Sequence, residues 1–228
     1  MKTTLIVMRH SVRLDCAHFN WLLDCFDKEG KIYTPKSEED PETIVIRDRN
    51  EFIADTPLSV SGFDLAAEKG KELLETLGKI DAVFSSPALR CVETAKRIAI
   101  KIEPGLFEPL TYGLYRQFPQ WLSPSLLQAN GFPVDVNYEP IISVQSLQTE
   151  YPHESVVAYF ARSKYVTEQI LKRFVQAIPE GGKILLVAHA SSLIANDPLN
   201  VEVPQTYNEL KPKIRFCGFC NAKQIEIE

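Results

Sequence analysis

The chain is short of the features that would mark a membrane, secreted or nucleic-acid-binding protein. Its 228 residues hold no apolar run approaching the length of a membrane span. The N-terminus enters an apolar run directly, without the basic segment and apolar stretch of a secretory leader. The five cysteines are odd in number and lack framework spacing, which fits reduced thiols and a cytoplasmic location. Cys217-Gly218-Phe219-Cys220 is formally C-x-x-C, but it sits in an apolar run, and on a strand that spacing sends the two side chains to opposite faces. A core role is expected for both. No second such pair and no ligand-spaced histidines exist, so no zinc site is expected. With 25 Lys and Arg against 30 Asp and Glu, the net charge of −5 lacks the basic face that phosphate-backbone contacts require. There are no internal repeats, and nothing between the motifs has the composition of a linker. A chain of this length, 45% apolar, can fill one α/β core, and a single domain over residues 1–228 is expected.

Histidine is also scarce, with four in the whole chain, and two of these occupy equivalent settings. Thr4-Leu5-Ile6-Val7-Met8 is a short apolar run that reads as a strand buried on both faces, and it ends in Arg9-His10-Ser11-Val12-Arg13. Gly181-Gly182-Lys183-Ile184-Leu185-Leu186-Val187-Ala188-His189-Ala190 repeats the design: a turn, a continuous apolar run, then histidine where small residues begin. A third run, Asp81 to Pro87, leads into a stretch of good helix composition, Ala88 to Arg97, with Pro87 in the first turn and Arg90 about one turn in. Ligands of open α/β sheets bind beyond the carboxyl ends of the strands. If the strands are parallel neighbours, their tips bring two histidines and three arginines to one crevice.

Arg9-His10, Ser86-Pro87-Ala88-Leu89-Arg90-Cys91-Val92-Glu93-Thr94-Ala95 and Val187-Ala188-His189 resemble the three core motifs of the histidine phosphatase (phosphoglycerate-mutase-like) superfamily. Arg13-Leu14-Asp15 and Glu103-Pro104-Gly105-Leu106-Phe107-Glu108 resemble more narrowly the phosphatase domain of the suppressor of T-cell-receptor signalling proteins and the insect ecdysteroid-phosphate phosphatases. The resemblance runs from Thr4 to about Cys220. It implies a three-layer α/β/α sandwich with a mostly parallel central sheet, and a metal-independent, cofactor-free phosphomonoesterase working through a phosphohistidine. It further implies that His10 is the nucleophile, that Arg9, Arg13 and Arg90 hold the phosphoryl oxygens with His189 donating another hydrogen bond, and that Glu108 is the acid. Relatives in the nearest branch suggest a homodimer, and phosphotyrosine, aryl or steroid phosphates as substrates. The chain departs from the family pattern beside the nucleophile, where Ser11 and Val12 replace the usual glycine and glutamate, and at Ala190, another usual glycine. A serine at a position needing positive φ would carry strain of roughly 1–2 kcal/mol.

The remaining stretches carry weaker signals. Residues 15–57 form a polar excursion placed to wall the pocket. Phe19, Leu22, Leu23 and Phe26 have the spacing of a short amphipathic helix, and acidic 36–42 should be a solvated loop. His18 and Trp21 are candidate substrate contacts. A helix is expected from Ser61 to Leu77, stopped by Gly78, and another from Glu154 to Ile178, with Val157 in its apolar stripe. Residues 109–151 form a second, proline- and aromatic-bearing excursion that should cap the pocket or pack as a satellite core. Glu93 is expected on a helix surface and His153 on the protein surface, while Glu103 and Glu93 are the alternatives to Glu108. Pro198 to Leu210 reads as mixed, and Ile214 to Phe219 with Ala222 to Ile227 as a hairpin or pair of edge strands. Two other functions fit the motifs: a catalytically silent relative that binds phosphorylated partners, and a phosphoglycerate-type mutase. The mutase would need extra basic residues that neither excursion supplies.

Overall fold

The structure is a computed structural model and describes residues 2–96, 99–110, 118–178, 181–196, 215–218 and 223–226. Five strands make its sheet: β1 (Lys2–Arg9), β2 (Ala82–Ser85), β3 (Ile100–Ile102), β4 (Lys183–Ala188) and β5 (Lys223–Glu226), in the order β3-β2-β4-β1-β5. The first four strands in that order run parallel, and β5 lies antiparallel against β1. The apolar runs lack alternation because both sheet faces are covered. Ile6, Met8, Val83 and Leu185 face α3 (Val60–Leu77) and α4 (Leu89–Thr94), packing with Leu73, Leu89 and Val92. Leu5, Val7, Phe84, Ile184 and Leu186 face α7 (Val156–Ala177), packing with Val166, Ile170, Leu171 and Phe174. This is the expected three-layer arrangement. Among the described residues no helix is long and apolar enough to cross a membrane.

Both long helices start and stop where local chemistry dictates. Ser59 caps α3 by accepting from the Gly62 N–H (3.0 Å), Gly78 ends it at φ 71°, and Ser155 caps α7 by accepting from the Ala158 N–H (3.1 Å). Helix α4 has no cap of its own, since Ala88 stands at that position and Pro87 lies before the helix, not in its first turn. Asp55, from the far excursion, fills the role by accepting the Leu89 N–H at 2.7 Å while Arg47 holds its other oxygen at 3.0 Å. Glu93 answers in the opposite direction: it is buried, not on the surface, and accepts the Leu58 N–H at 2.6 Å. The segment before α3 and the helix bearing Arg90 are thus locked to each other.

Burial pushes the Glu93 carboxyl up to about 8, with Asp55 adding to the rise. The folded protein therefore keeps a proton here that the unfolded chain releases above about pH 4.5, so this group makes stability fall as pH rises from there to about 8. Glu93→Gln keeps an acceptor for Leu58 and never ionises. In denaturant titrations it should match the native protein near pH 4.5 and exceed it by about 1–2 kcal/mol near pH 8.

The excursions depart most from expectation. Leu14–Ala17 (α1) and Trp21–Asp24 (α2) are two short helices, not one amphipathic helix, and they leave Phe19 87% and Leu23 71% exposed. Trp21 is 1% exposed because its ring packs against Phe26 and Phe52, at 5.9 and 5.4 Å between centroids, which removes it from any substrate pocket. Residues 36–42 form a loop with Lys36, Ser37 and Glu38 exposed, as expected, but Asp40 within it points inward. It is buried and accepts the backbone N–H groups of Lys36 and Ser37 (both 2.7 Å), the Cys25 thiol and His18. In the second excursion, α5 (Pro124–Ala129) and α6 (Val144–Glu150) add Leu127 and Leu147 to the core on the α3–α4 side, and Phe118, which meets Trp121 at 5.1 Å and Tyr151 at 5.9 Å, packs against that same core, so these aromatics are not a satellite core. Val157 is exposed, and β3 is a strand the sequence pattern did not mark. Cys217 occupies a turn at φ 52°, not a strand. Arg97, Pro198 to Leu210, Ile214, Phe219, Cys220, Ala222 and Ile227 lie outside the described residues.

Candidate active site

The register of the sheet decides the site. Arg9 pairs with Ala188 and Ser85 with Val187, so His10, Ser86 and His189 leave three adjacent strands at one level. Their rings meet: the His10 and His189 centroids lie 5.5 Å apart at an interplanar angle of 68°. His10 is held by backbone and ring, its N–H donating to the Ala188 carbonyl (2.9 Å), its own carbonyl accepting the Cys217 N–H (3.3 Å) and its Nδ1 lying 2.7 Å from the Ser11 carbonyl oxygen. A carbonyl only accepts, so Nδ1 carries the ring proton and Nε2 keeps its lone pair. Burial, then the charge of Arg90 and the neighbouring His189, holds the His10 imidazole well below the usual histidine range, and therefore neutral.

His189 is buried, with its Nε2 2.9 Å from the Ser86 hydroxyl and its Nδ1 3.6 Å from Glu108 Oε1. Burial and Arg90 lower its pKa as well, with Arg9 and Arg13 contributing. The Phe107 ring stands edge-on to it at 5.2 Å. Arg90 is 1% exposed, and its Nη2 lies 2.5 Å from Glu108 Oε1. Glu108 is thus brought to both Arg90 and His189. The rival carboxylates are placed elsewhere: Glu93 in the α3–α4 lock, and Glu103 under the second excursion. Glu103 accepts the N–H groups of Gly105, Ile141 and Ile142 and the Tyr138 hydroxyl at 2.7–3.1 Å. His153 is exposed, as expected.

Two arginines are present with partners of their own. The Arg9 guanidinium lies 4.1 Å over the Phe216 ring, which is also 5.8 Å from the His10 ring. Arg13 turns its fork onto Asp15, at 2.8 and 3.0 Å, while its charge is still felt by Arg90 and Glu108. Phe216 and Ser86 were not picked out from the sequence: one sits in an apolar run that reads as core, the other is one serine of a pair. Cys91 also reaches His189 Nε2, at 3.8 Å, but burial pushes its thiol up to about 12, so it carries no thiolate here at neutral pH.

The serine beside His10 is absorbed without strain. Among the described residues the sole non-glycine with positive φ is Cys217, so Ser11 bears none of the strain considered above. Its hydroxyl donates to the Gly62 carbonyl (2.7 Å), and its N–H donates to Thr94 Oγ1 (2.9 Å), whose own hydroxyl donates to the Arg90 carbonyl (2.7 Å). The serine therefore ties the histidine loop to α3 and α4. The fit depends on Gly62, where a Cβ would lie 2.2 Å from the Val12 carbonyl oxygen. Gly62→Ala should cost about 1–3 kcal/mol of stability, read as a lowered melting temperature, and should disturb the His10 loop as well.

Among the described residues, His18, Cys25 and Asp40 are the one trio of metal-ligand type with ligand atoms within 4.8 Å of one another. They belong to the first excursion and join no side chain of the His10 cluster. His18 spends its ring nitrogens on Asp40 (2.8 Å) and Asp24 (3.0 Å), which corrects its candidacy as a substrate contact.

A parallel α/β/α sheet whose strand tips carry two facing histidines among arginines defines a class of protein, the histidine phosphatase (phosphoglycerate-mutase-like) superfamily, and the homologues and structural neighbours of the chain fall in it. The chain is 34% identical over 98% of its length to human Ubiquitin-associated and SH3 domain-containing protein B and 32% identical over 97% to the Ecdysteroid-phosphate phosphatase of Drosophila melanogaster. It spans about a third of the length of these relatives, 36% and 30% respectively. The crystal structure of the ecdysone phosphate phosphatase of Bombyx mori, in complex with tungstate, shares the fold with a TM-score of 0.81 at 23% identity, over 99% of this chain and 92% of that one. No family model matches the chain.

Proposed function

We propose that the chain is a phosphomonoesterase that needs no metal and passes its phosphoryl group through His10. The observation that carries this reading is the lone pair of Nε2, on an imidazole kept neutral and oriented by the Ser11 carbonyl, beside the pair of buried Arg90 and partly exposed Glu108. Nε2 attacks phosphorus as the bond from phosphorus to the ester oxygen breaks, and the proton of Glu108 moves to the departing oxygen. Arg90, with Arg9 and Arg13, neutralises charge on the phosphoryl oxygens, and His189 donates to them. Glu108, now a carboxylate, takes a proton from water as its oxygen bonds to phosphorus and the P–N bond breaks, which restores neutral His10. For Arg13 this role requires its fork to be shared with, or released from, Asp15.

The names of the relatives and the tungstate held by the silkworm enzyme, an oxyanion shaped like phosphate, support this reading. Aryl or steroid phosphates and phosphotyrosine are the substrate class proposed. Phe107 is fully buried edge-on to His189 and packs at 4.6 Å on Trp121, whose half-buried ring is the apolar group proposed for that side of the site. The unstrained Ser11 favours this reading over a silent phosphate binder. The test is release of phosphate from p-nitrophenyl phosphate with chelator present, together with trapping of an acid-labile, base-stable phosphate on the peptide that contains His10. No turnover alongside intact phosphopeptide binding would establish the silent binder instead.

A further inference from the structure

The loop that bears Glu108 is clasped from behind by an ion pair that sequence motifs do not mark. Arg162, on α7, has five N–H donors, and every one has an acceptor. Nε and Nη2 donate to the two oxygens of Glu154 (2.6 and 2.9 Å). Nη1 donates to the carbonyls of Gly105 (2.8 Å) and Phe107 (2.9 Å), and Nη2 reaches the Glu108 carbonyl at 3.4 Å. Glu154 closes the ring by accepting the Leu110 N–H at 2.9 Å. The pair therefore fixes the main chain on both sides of Glu108. Gly105 presses into the same place, since a Cβ there would lie 2.5 Å from a Val166 methyl, one turn along α7.

A buried ion pair is a poor device for stability alone, because desolvating two charges offsets most of their attraction. Its strength is geometric, since a planar fork accepts only one arrangement of partners. We infer that Arg162 and Glu154 are positioning residues that set the Glu108 carboxyl against the leaving oxygen. The inference rests on Glu108 being the acid. Displacement of a catalytic group by a fraction of an ångström weakens the step that uses it and spares steps that do not.

The test compares kcat/KM, which reports transfer to His10 only, on phenyl phosphate and on 2,4-dinitrophenyl phosphate, whose phenolate leaves without being protonated. Arg162→Lys keeps a charge opposite Glu154 but loses the fork. It should lower kcat/KM on phenyl phosphate about 10- to 100-fold and on the dinitrophenyl ester less than about threefold. Glu108→Gln should show the same split, and the double variant should fall no further than Glu108→Gln. Should Arg162→Lys fail to fold, Glu154→Gln, which still accepts from Leu110, should give a smaller split in the same direction. Equal losses on both esters in the Arg162 and Glu154 variants, with the split intact in Glu108→Gln, would overturn the positioning role alone. Absence of the split in Glu108→Gln would overturn the acid assignment, and this inference with it.

Discussion

His10→Ala should lower turnover of p-nitrophenyl phosphate by a factor on the order of 10⁴ or more, because in the proposed mechanism it removes the atom that bonds to phosphorus and no other described group occupies its place. The fold should survive, since the ring makes one hydrogen bond and that to its neighbour's carbonyl. Unchanged circular dichroism with lost turnover is the expected pair of results, and a variant retaining a tenth of native activity would remove His10 from the reaction. The ionisation of the ring offers an independent check. A nucleophilic imidazole must be neutral, and burial beside Arg90 lowers the pKa. Protonation, and with it loss of the attacking lone pair, is therefore postponed to well below pH 6.5. NMR titration of the free protein should find the His10 ring neutral at pH 6, whereas a ring titrating near 6.5 would contradict the environment described.

Arg90→Ala should reduce kcat/KM by about 10²- to 10³-fold, the range for losing one preorganised charge in a water-excluded site. In the proposed mechanism the side chain serves twice, neutralising the phosphoryl oxygens and holding Glu108, from which its Nη2 lies 2.5 Å. Its removal both weakens the transition state and frees the acid. Arg90→Lys should recover little, because an ammonium has no fork with which to hold carboxylate and phosphoryl oxygen together. Full recovery by lysine would mean that Arg90 supplies charge alone, and a loss below tenfold in Arg90→Ala would place the main cation elsewhere, on Arg9 or Arg13.

Much of this site was legible in the order of residues, because its parts lie where strands end. An apolar run of five or six residues that stops at a histidine is a local pattern, and it located both His10 and His189. Helix limits were equally local: Gly78 ends α3 as expected, and the caps Ser59 and Ser155 lie within two residues of the expected starts at Ser61 and Glu154. What failed was the burial of individual side chains whose partners are distant in sequence. Phe19 and Leu23 have helical spacing yet face solvent, while Trp21 between them is in the core. Glu93 has the composition of a surface helix residue yet is buried against Leu58.

The sequence by itself determined the chemistry on offer: a central sheet of buried strands, two histidines and three arginines at their ends, and glutamates within reach. Only the tertiary structure decided which carboxylate meets Arg90 and His189. Glu93, Glu103 and Glu108 are alike as residues, and each ends with different partners: the Leu58 amide, the amides of a crossing loop, or Arg90 and His189. A carboxylate's role is set by what surrounds it in space, through desolvation and the donors it meets, and those neighbours come from elements that may lie dozens of residues away.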